Sequence, residues 1–315
     1  MRLKTIHIEF TTACNSRCIM CDYWINGKSQ TIDSSLVFSL VAQQYTLGLE
    51  SLYFTGGECL LSAQQLFPLC RRLRKAFPDL RLGLITNGLF VHGYWREIAD
   101  VFQKVIISLD ALDPVKYKKI RGVDGIATVQ KGIRLLKEYS PKTKVNLRVL
   151  VLQDNLDELS QIVQYAKIQK LDRVSFIAED TSSTAFGRTK PIYTNDYRPF
   201  PIIKLRREIE QIKMCFSDQV GNLLRQGLED LEWVYNLYAG DSLHFPTCDK
   251  AVDSCVISAN GIVSPCFFIH GTKHLSTDIS LLDILNSEEY RQQVHRILAY
   301  ANPFCCKCVC PKKLS

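Results

Sequence analysis

Residues 5–24 read TIHIEFTTACNSRCIMCDYW, in which a strand-like segment runs directly into three closely spaced cysteines. The segment TIHIEFT alternates polar and apolar residues and is bounded by turn residues, which predicts a β-strand. Cys14, Cys18 and Cys21 lie on the loop that follows. A structural zinc ion takes four protein ligands, whereas three thiolates on a four-iron cube leave one iron open. The trio therefore predicts a metal centre whose last position is filled by a small molecule.

Further segments along the chain carry the same strand pattern. They are SLYFTG from Ser51, LRLGLITN from Leu80, KVIISLD from Lys104, KVNLRVLVL from Lys144 and RVSFIAE from Arg173. Amphipathic helical segments lie between them; Asp33 or Ser34 is the candidate cap of one and Asn155 of another. Parallel strands need crossover connections, and right-handed crossovers curl six such units into a partial barrel. The predicted fold class is therefore α/β, a partial (β/α)6 TIM-like barrel with its ligands at the carboxyl ends of the strands.

The strand-helix alternation stops after Glu179, where proline-rich loop composition begins. Helical periodicity returns over about residues 202–238, and a cysteine-rich tail starts near Phe245. Within the tail, CVISANGIVSPCFF alternates around Asn260-Gly261, which predicts a hairpin. We predict a barrel core over residues 1–200, a helical connection over residues 201–244, and a small cysteine-rich hairpin and helix module over residues 245–315.

Composition limits the class of protein and its partners. With 46% hydrophobic and 23% charged residues, the chain is typical of a soluble globular protein, and no apolar run reaches the ~20 residues of a membrane helix. The first residues resemble a strand and not a signal peptide, which predicts a cytoplasmic location and no membrane partner. A net charge of +7 usually reflects only charged side chains that keep the surface solvated. The alternative is that it attracts an anionic substrate or an acidic peptide. No dense basic run with interleaved aromatics occurs, so we expect no nucleic-acid partner.

Cysteines are numerous and unevenly distributed. Seven of the thirteen lie between Cys248 and Cys310. In a reducing compartment, clustered cysteines favour metal ligation over disulfides.

The spacing Cys-x3-Cys-x2-Cys after the first strand of such a barrel resembles the signature of the radical S-adenosylmethionine (radical SAM) superfamily. Other strand ends agree: TGGE at residues 55–58, TNG at residues 86–88 and ISLD at residues 107–110. The resemblance covers about residues 5–180. It implies that Cys14, Cys18 and Cys21 hold a [4Fe-4S] cluster that cleaves S-adenosylmethionine (SAM) reductively. The resulting 5′-deoxyadenosyl radical would remove a hydrogen atom from an unreactive carbon.

The same resemblance implies a set of SAM contacts, with the carboxylate of Glu58 at the SAM amino group. The candidate SAM-binding residues are Gly56, Gly57, Glu58, Asn87, Ser108, Asp110 and Arg148. Each has a structural alternative. The glycines suit a strand-to-helix turn, Glu58 a helix cap, Ser108 and Asp110 local backbone contacts, and Arg148 an ion pair.

One position departs from the family pattern, because Cys59 stands where proline usually follows Gly-Gly-Glu. A thiol can return a hydrogen atom to a substrate radical, so Cys59 and Cys255 are candidate catalytic residues. The alternative for each is a small buried packing residue, and for Cys255 also a cluster ligand.

The tail holds a second cysteine set. Seventeen residues separate Cys248 from Cys266, and Cys305 and Cys308 form a Cys-x2-Cys pair. This pattern resembles the twitch module, the short form of the SPASM domain, and implies that these four cysteines bind an auxiliary [4Fe-4S] cluster. Three further cysteines stay open as alternative ligands, namely Cys255, Cys306 and Cys310. A zinc knuckle is the structural alternative.

Resemblance to the twitch group favours a radical SAM oxidoreductase or epimerase of natural product biosynthesis, acting on a sugar- or aminoglycoside-like intermediate. The alternative is epimerisation, crosslinking or oxidation of a ribosomally synthesised peptide. It is disfavoured because no recognition domain precedes the first strand. Molybdopterin biosynthesis is disfavoured because the chain ends CPKKLS and not in Gly-Gly. A non-enzymatic electron-transfer protein would need no SAM site. The expected partners are a small-molecule or peptide substrate and an electron donor such as flavodoxin or ferredoxin.

The two cysteine sets predict the iron content. Anaerobically reconstituted protein should bind about eight irons per chain as two four-iron clusters. Replacing Cys14, Cys18 and Cys21 together with alanine should remove about half of the iron and all SAM cleavage, because these thiolates are the only predicted ligands of the SAM-binding cluster. Iron assay and 5′-deoxyadenosine quantification check both. Retained cleavage in the triple variant would contradict the assignment.

Overall fold

The computed structural model describes residues 2–25, 29–191, 200–216, 223–240, 248, 250–276, 278–305 and 308–310. The strands are β1 (Thr5–Thr11), β2 (Ser51–Gly56), β3 (Arg81–Thr86), β4 (Lys104–Ser108), β5 (Lys144–Val151), β6 (Arg173–Ala178), β7 (Ser254–Ile257) and β8 (Val263–Ser264). The helices that alternate with the first six strands are α1 (Ser34–Thr46), α2 (Ala63–Ala76), α3 (Val91–Val101), α4 (Pro114–Arg121), α5 (Ile126–Tyr139) and α6 (Leu159–Ile168). The later helices are α7 (Ile202–Phe216), α8 (Arg225–Ala239), α9 (Lys250–Asp253), α10 (Leu281–Asn286) and α11 (Glu288–Leu298).

The first six strands form the predicted parallel, partly closed barrel. Across the described chain the strand order is β6-β5-β4-β3-β2-β1-β7-β8. Strand alternation divides β1 into two faces, because successive side chains point to opposite sides. Ile6 pairs with Leu52 of β2, and both are fully buried against the helix layer. His7 pairs with Tyr53, and their rings stack 5.2 Å apart inside the barrel. The inward-facing side chains thus differ in chemistry from the packed outer layer.

The predicted hairpin forms, but it is bonded to the barrel. β7 pairs in parallel with β1, opposing Ile6 with Cys255, and β8 pairs antiparallel with β7. Gly261 makes the turn with φ +84°, a conformation that favours glycine. The hairpin therefore extends the barrel sheet beyond β1. The division at residues 200 and 244 remains a prediction.

The opposite edge of the sheet is covered by α8 and the residues before it. The backbone N–H of Phe176 donates to the Asp230 carboxylate at 3.2 Å, and Val174 N–H donates to the carbonyl of Leu223 at 3.0 Å. The indole N–H of Trp233 donates to the carbonyl of Cys308 at 3.3 Å. These bonds satisfy part of the free edge of β6 and connect α8 to the cysteine-rich tail.

Of the predicted helix caps, that of Asp33 forms and that of Asn155 does not. Asp33 caps α1 by accepting from the backbone N–H of Leu36 at 2.9 Å, as predicted. The prediction for Asn155 is wrong, because α6 begins at Leu159 and Asn155 lies in a preceding 3-10 turn. Its amide donates to the carbonyl of Asp110 at 2.7 Å, so it joins the ends of β4 and β5. No helix in the described part of the chain is long and apolar enough to cross a bilayer.

The carboxyl end of α4 holds the loop that carries the cysteine trio. Arg17 N–H donates to the carbonyl of Arg121 at 2.9 Å, and Ile19 N–H donates to the carbonyl of Ile120 at 3.1 Å. Gly122 follows with φ +69°, and a Cβ there would lie 2.2 Å from the carbonyl oxygen of Arg17. Only glycine therefore permits this close approach.

Replacing Gly122 with alanine should destabilise the fold by about 1–3 kcal/mol, because the new methyl group meets backbone and the residue has positive φ. Gly93→Ala in α3 is the matched control. A Cβ there meets nothing within 4 Å, and alanine should stabilise a helix by up to about 1 kcal/mol. Urea unfolding of the two variants at equal iron content measures both effects. Equal stability of the variants would contradict the close approach at Gly122.

Candidate active site

The three cysteines of the first set lie together on the loop after β1. Burial raises the pKa of Cys14 to about 11 and that of Cys21 to about 12, and in both cases the neighbouring Cys18 thiolate raises it further. Three thiols within electrostatic reach of one another are costly to ionise unless a cation is present. Metal ligation supplies that cation. The donor set therefore fits an iron-sulfur cluster.

Gly56 and Gly57 permit the end of β2 to pack against the backbone just before Cys14. Gly57 N–H donates to the carbonyl of Thr11, and Glu58 N–H donates to the carbonyl of Ala13, both at 2.7 Å. Gly56 has φ +130°, and a Cβ on Gly57 would lie 2.1 Å from the Ala13 oxygen. The two glycines thus serve a close backbone approach that fixes where the cysteine loop begins.

The Glu58 carboxylate is fully covered by protein atoms. It accepts from the hydroxyl of Thr86 at 2.8 Å, from the backbone N–H of Asn87 at 2.8 Å and from that of Leu60 at 3.2 Å. Burial raises its pKa above the ordinary range of a glutamate. In this arrangement Glu58 joins the ends of β2 and β3. Its contact with the SAM amino group remains a prediction, and the geometry favours a positioning role.

Asn87 continues this network to the cysteine loop. Its amide donates to the side-chain oxygen of Asn15 at 2.7 Å and to the hydroxyl of Ser16 at 3.0 Å. Both acceptors lie between Cys14 and Cys18. Asn87, predicted as a SAM contact, is therefore placed to hold the loop between the first two cysteines.

Asp110 lies at the other side of the same loop. It is fully buried, forms an ion pair with Arg121 at 2.6 Å and accepts from the backbone N–H of Leu150 at 2.8 Å. Arg121 in turn donates to the sulfur of Cys18 at 3.8 Å. Arg121 was not among the predicted site residues. Its signal was the run IRG at the end of the helix that follows SLD, where a glycine marks a close backbone approach.

The turn after β6 contacts the third cysteine. It is built on a buried ion pair between Asp180 and Arg188. The carbonyl of Phe186 accepts from the backbone N–H of Asp22 at 3.0 Å and from the thiol of Cys21 at 3.5 Å. This turn therefore supports the loop from a third direction.

Basic side chains and aromatic rings line the barrel interior between the two cysteine sets. The His7 ring packs edge-on against Phe267 at 5.1 Å, directly after Cys266. Burial lowers the pKa of His7 to about 3, with further lowering by Arg148, Lys250 and Lys104. The imidazole is therefore neutral at physiological pH.

Arg148 lies within this interior and not beside the cysteine loop. It pairs in register with Ser108 of β4, which lies at the carboxyl end of its strand. The Nε of Arg148 and the Nδ1 of His7 are buried without a hydrogen-bond partner among the described residues. Buried polar atoms of this kind are costly unless a ligand satisfies them. The interior is therefore suited to an anionic group.

Asp230 of α8 is the acidic counterpart of these cations. Its carboxylate is buried and accepts the N–H of Phe176. Burial raises its pKa to about 7, although Arg148 and Arg173 act in the opposite direction. Its protonation state therefore changes within the physiological range.

The structure brings several cysteines of the tail together. Cys305 packs in a small apolar cluster with Cys248 and Cys266. Burial raises the pKa of Cys266 to about 12, with Cys305 and Cys248 adding to the effect. Cys310 lies within electrostatic reach of Cys248, so it rivals Cys308 as a ligand. Cys306 lies outside the described residues.

Within the described ranges, no three or more Cys, His, Asp or Glu side chains converge closely enough to hold a single metal ion. The auxiliary cluster and its alternative, the zinc knuckle, both remain predictions.

The two candidate hydrogen donors are both fully buried. Cys255 shares the face of Ile6 and is close enough to Tyr290 of α11 to affect its pKa. This face is opposite to the one that carries His7 inside the barrel. Cys59 donates to the carbonyl of Thr55 at 2.9 Å. These placements favour the packing alternative for both, and neither residue is brought to the interior.

Comparison with known families and proteins supports the barrel assignment. Residues 8–166, just over half of the 315 residues, match the family described as the Radical SAM superfamily. The chain is 25% identical over 309 residues to the GTP 3′,8-cyclase of Campylobacter jejuni subsp. doylei, covering 94% of this chain and 90% of that protein. It is also 25% identical to the molybdenum cofactor biosynthesis protein moc-5 of Caenorhabditis elegans, covering 94% of this chain and 48% of the relative.

Solved structures are similar in fold. SuiB of Streptococcus suis, bound to S-adenosylmethionine, matches with a TM-score of 0.69 at 18% identity, covering 93% of this chain and 68% of SuiB. The structure of anSMEcpe with bound AdoMet matches with a TM-score of 0.67 at 17% identity, covering 100% of this chain and 88% of anSMEcpe. At these identities the likeness shows the fold alone. The family match ends before the tail, so the SPASM or twitch resemblance is not shown.

The raised pKa of Asp230 predicts a pH-dependent stability. The carboxyl has a pKa of 3.8 when unfolded and about 7 when folded. The folded state therefore binds more protons in this window, and the free energy of unfolding falls as pH rises through it. Relative to Asp230→Asn, the wild type should lose about 1.4 kcal/mol per pH unit over most of the window.

Urea unfolding in half-unit pH steps from about 3 to about 8 measures this difference over a range that includes both pKa values of Asp230. Glu229→Gln is the control, because Glu229 is the exposed neighbour on the same helix. The Asp230→Asn variant should be the more stable protein above pH 7. A difference that does not change with pH would contradict the buried carboxyl.

Proposed function

Since the chain belongs to the radical SAM superfamily, we propose that it is a radical SAM enzyme that acts on an anionic purine nucleotide, with GTP as the first candidate. The observation that carries the proposal is the extent of similarity to the curated GTP 3′,8-cyclases. It covers 94% of this chain and 90% of theirs, and so includes the region beyond the barrel. Their name describes ring closure between C3′ and C8 of GTP.

The chemistry of the barrel interior supports an anionic substrate. Arg148 and Lys104 face the enclosed space beside the neutral His7. A guanidinium binds phosphate through two parallel hydrogen bonds, and a lysine ammonium binds it as a point charge. The orphaned Nε of Arg148 and Nδ1 of His7 are available to the same ligand. The net charge of +7 agrees with this class of substrate.

The residues of this chain supply positioning and enclosure. Cys14, Cys18 and Cys21 would hold the [4Fe-4S] cluster, which when bound supplies the electron for cleavage of SAM. The Gly56-Gly57 turn and the Asn87 amide fix the loop that carries them. The barrel wall and the hairpin that extends it keep water from a reactive radical.

The earlier alternatives are ranked differently by these findings. Molybdopterin biosynthesis was disfavoured because CPKKLS stands where Gly-Gly was expected, which is a difference of a few residues. The similarity to GTP 3′,8-cyclases extends along the chain. We therefore regard a nucleotide as the better supported substrate. A sugar-like substrate, with its oxidation or epimerisation, ranks second. The likeness to SuiB and anSMEcpe supports only the fold, so a peptide substrate has no specific support.

Two parts of the earlier assignment are retained as proposals. An auxiliary cluster would be held by Cys248, Cys266 and Cys305 with Cys308 or Cys310, because these cysteines lie close to one another in the tail. Flavodoxin or ferredoxin would be the physiological electron donor, since SAM cleavage in this superfamily consumes one electron.

The test is anaerobic turnover of reconstituted, dithionite-reduced protein with SAM and GTP. GTP should raise 5′-deoxyadenosine formation by about tenfold or more, because substrate binding completes the enclosed site. With GTP deuterated at C3′, the deuterium should appear in 5′-deoxyadenosine, as measured by mass spectrometry. SAM cleavage without any response to GTP, GDP or ATP would leave the superfamily intact and overturn the nucleotide proposal.

Substitution of Arg148 tests its predicted contact with the anionic substrate in the same assay. Arg148→Met should weaken GTP binding about tenfold or more, because a charge-assisted hydrogen bond contributes roughly 1.5–3 kcal/mol. SAM cleavage without substrate should remain. Arg134→Met is the matched control, since Arg134 is exposed on the outer helix α5. Equal GTP affinity in the two variants would contradict the role of Arg148.

A further inference from the structure

Arg121 contacts both the Asp110 carboxylate and the sulfur of Cys18 through its guanidinium. Its Nη2 pairs with the Asp110 carboxylate at 2.6 Å, and its Nη1 donates to the sulfur of Cys18 at 3.8 Å. The arginine side chain is only 11% exposed and Asp110 is fully buried. A charge in such surroundings is weakly screened by solvent. The guanidinium therefore acts strongly on whatever charge Cys18 carries.

The side chain is not needed to dock the cysteine loop on α4. That contact uses backbone groups, because Arg17 and Ile19 donate their N–H groups to the carbonyls of Arg121 and Ile120. Gly122 allows the approach. A buried ion pair is in general costly and often adds no stability compared with apolar residues. The burial of Arg121 beside a predicted cluster ligand therefore calls for an electrostatic explanation.

We propose that the Asp110–Arg121 pair sets the reduction potential of the cluster held by Cys14, Cys18 and Cys21. A positive charge beside the Cys18 thiolate stabilises the reduced cluster, which carries one more negative charge than the oxidised cluster. Arg121 thus raises the potential. Asp110 orients the guanidinium and partly offsets its charge. Both are positioning residues, since they act through Cys18.

This assignment changes the role expected of Asp110. As a SAM contact it would need an open face, but its carboxylate is enclosed by Arg121 and the N–H of Leu150. Groups that bind the ligands of a metal typically change its properties strongly when replaced. The inference rests on the superfamily assignment and is independent of the nucleotide substrate, so the two proposals fail separately.

The experiment is an electron paramagnetic resonance redox titration of the reconstituted full chain without SAM or substrate. The variants are Arg121→Gln, Arg121→Lys and Asp110→Asn. Arg121→Gln should make the potential more negative by about 59 mV for a one-electron couple, so that the ratio of reduced to oxidised cluster at a fixed potential falls about tenfold. Arg121→Lys keeps the charge and should stay close to wild type. Asp110→Asn removes the offsetting charge and should shift the potential positively.

Arg17→Gln is the matched control. Arg17 precedes Cys18 in the sequence, but its side chain is exposed, so solvent should screen its charge and leave the potential unchanged. An Arg121→Gln protein with full iron and an unchanged potential would overturn the proposal. If Arg121→Gln does not bind iron, the reduction potentials of Arg121→Lys and Asp110→Asn decide the outcome. The proposal is also overturned if the reduction potential of Asp110→Asn shifts negatively or not at all. It is likewise overturned if the potential of Arg121→Lys falls well below that of the wild type.

Discussion

The cysteine loop is held by backbone contacts so close that no side chain fits between its partners. On one side, Gly57 meets the carbonyl of Ala13, and on the other, Gly122 meets the carbonyl of Arg17. The first contact comes from the end of β2 and the second from the end of α4. The position of the three thiols therefore depends on the packing of the whole barrel, because neither neighbour can shift without a backbone clash.

Two buried carboxylates extend this constraint into side-chain networks. Glu58 accepts donors from the end of β3, which through Asn87 reaches the loop between the first two cysteines. Asp110 binds Arg121, which reaches Cys18. Sequence resemblance suggested direct cofactor contacts for both acids. Their burial and hydrogen bonds favour a role in organising residues around the loop, and the direct cofactor contacts remain predictions.

The sequence predicted the parts of the molecule that depend on local pattern. Alternation placed the first six strands, and Asn260-Gly261 placed the turn of the hairpin. Other features depend on partners distant in the chain. The side of the sheet that Cys255 faces follows from its pairing with Ile6, and no local pattern sets that register. Arg121 and the hydrogen bond from Asn155 to the carbonyl of Asp110 were not predicted, because side-chain hydrogen bonds leave no periodic signal in the sequence.

The pairing of β1 with β7 joins residues that are about 250 positions apart, as Thr5 opposes Ser254. During synthesis β1 therefore emerges long before the strand that covers its edge. An uncovered edge strand is a template for pairing with other chains. Long-range pairing also slows folding, because the loop must close before the contacts form. Nascent chains thus expose this edge, next to the cysteine loop, until β7 has been synthesised, which makes aggregation a hazard of its biogenesis.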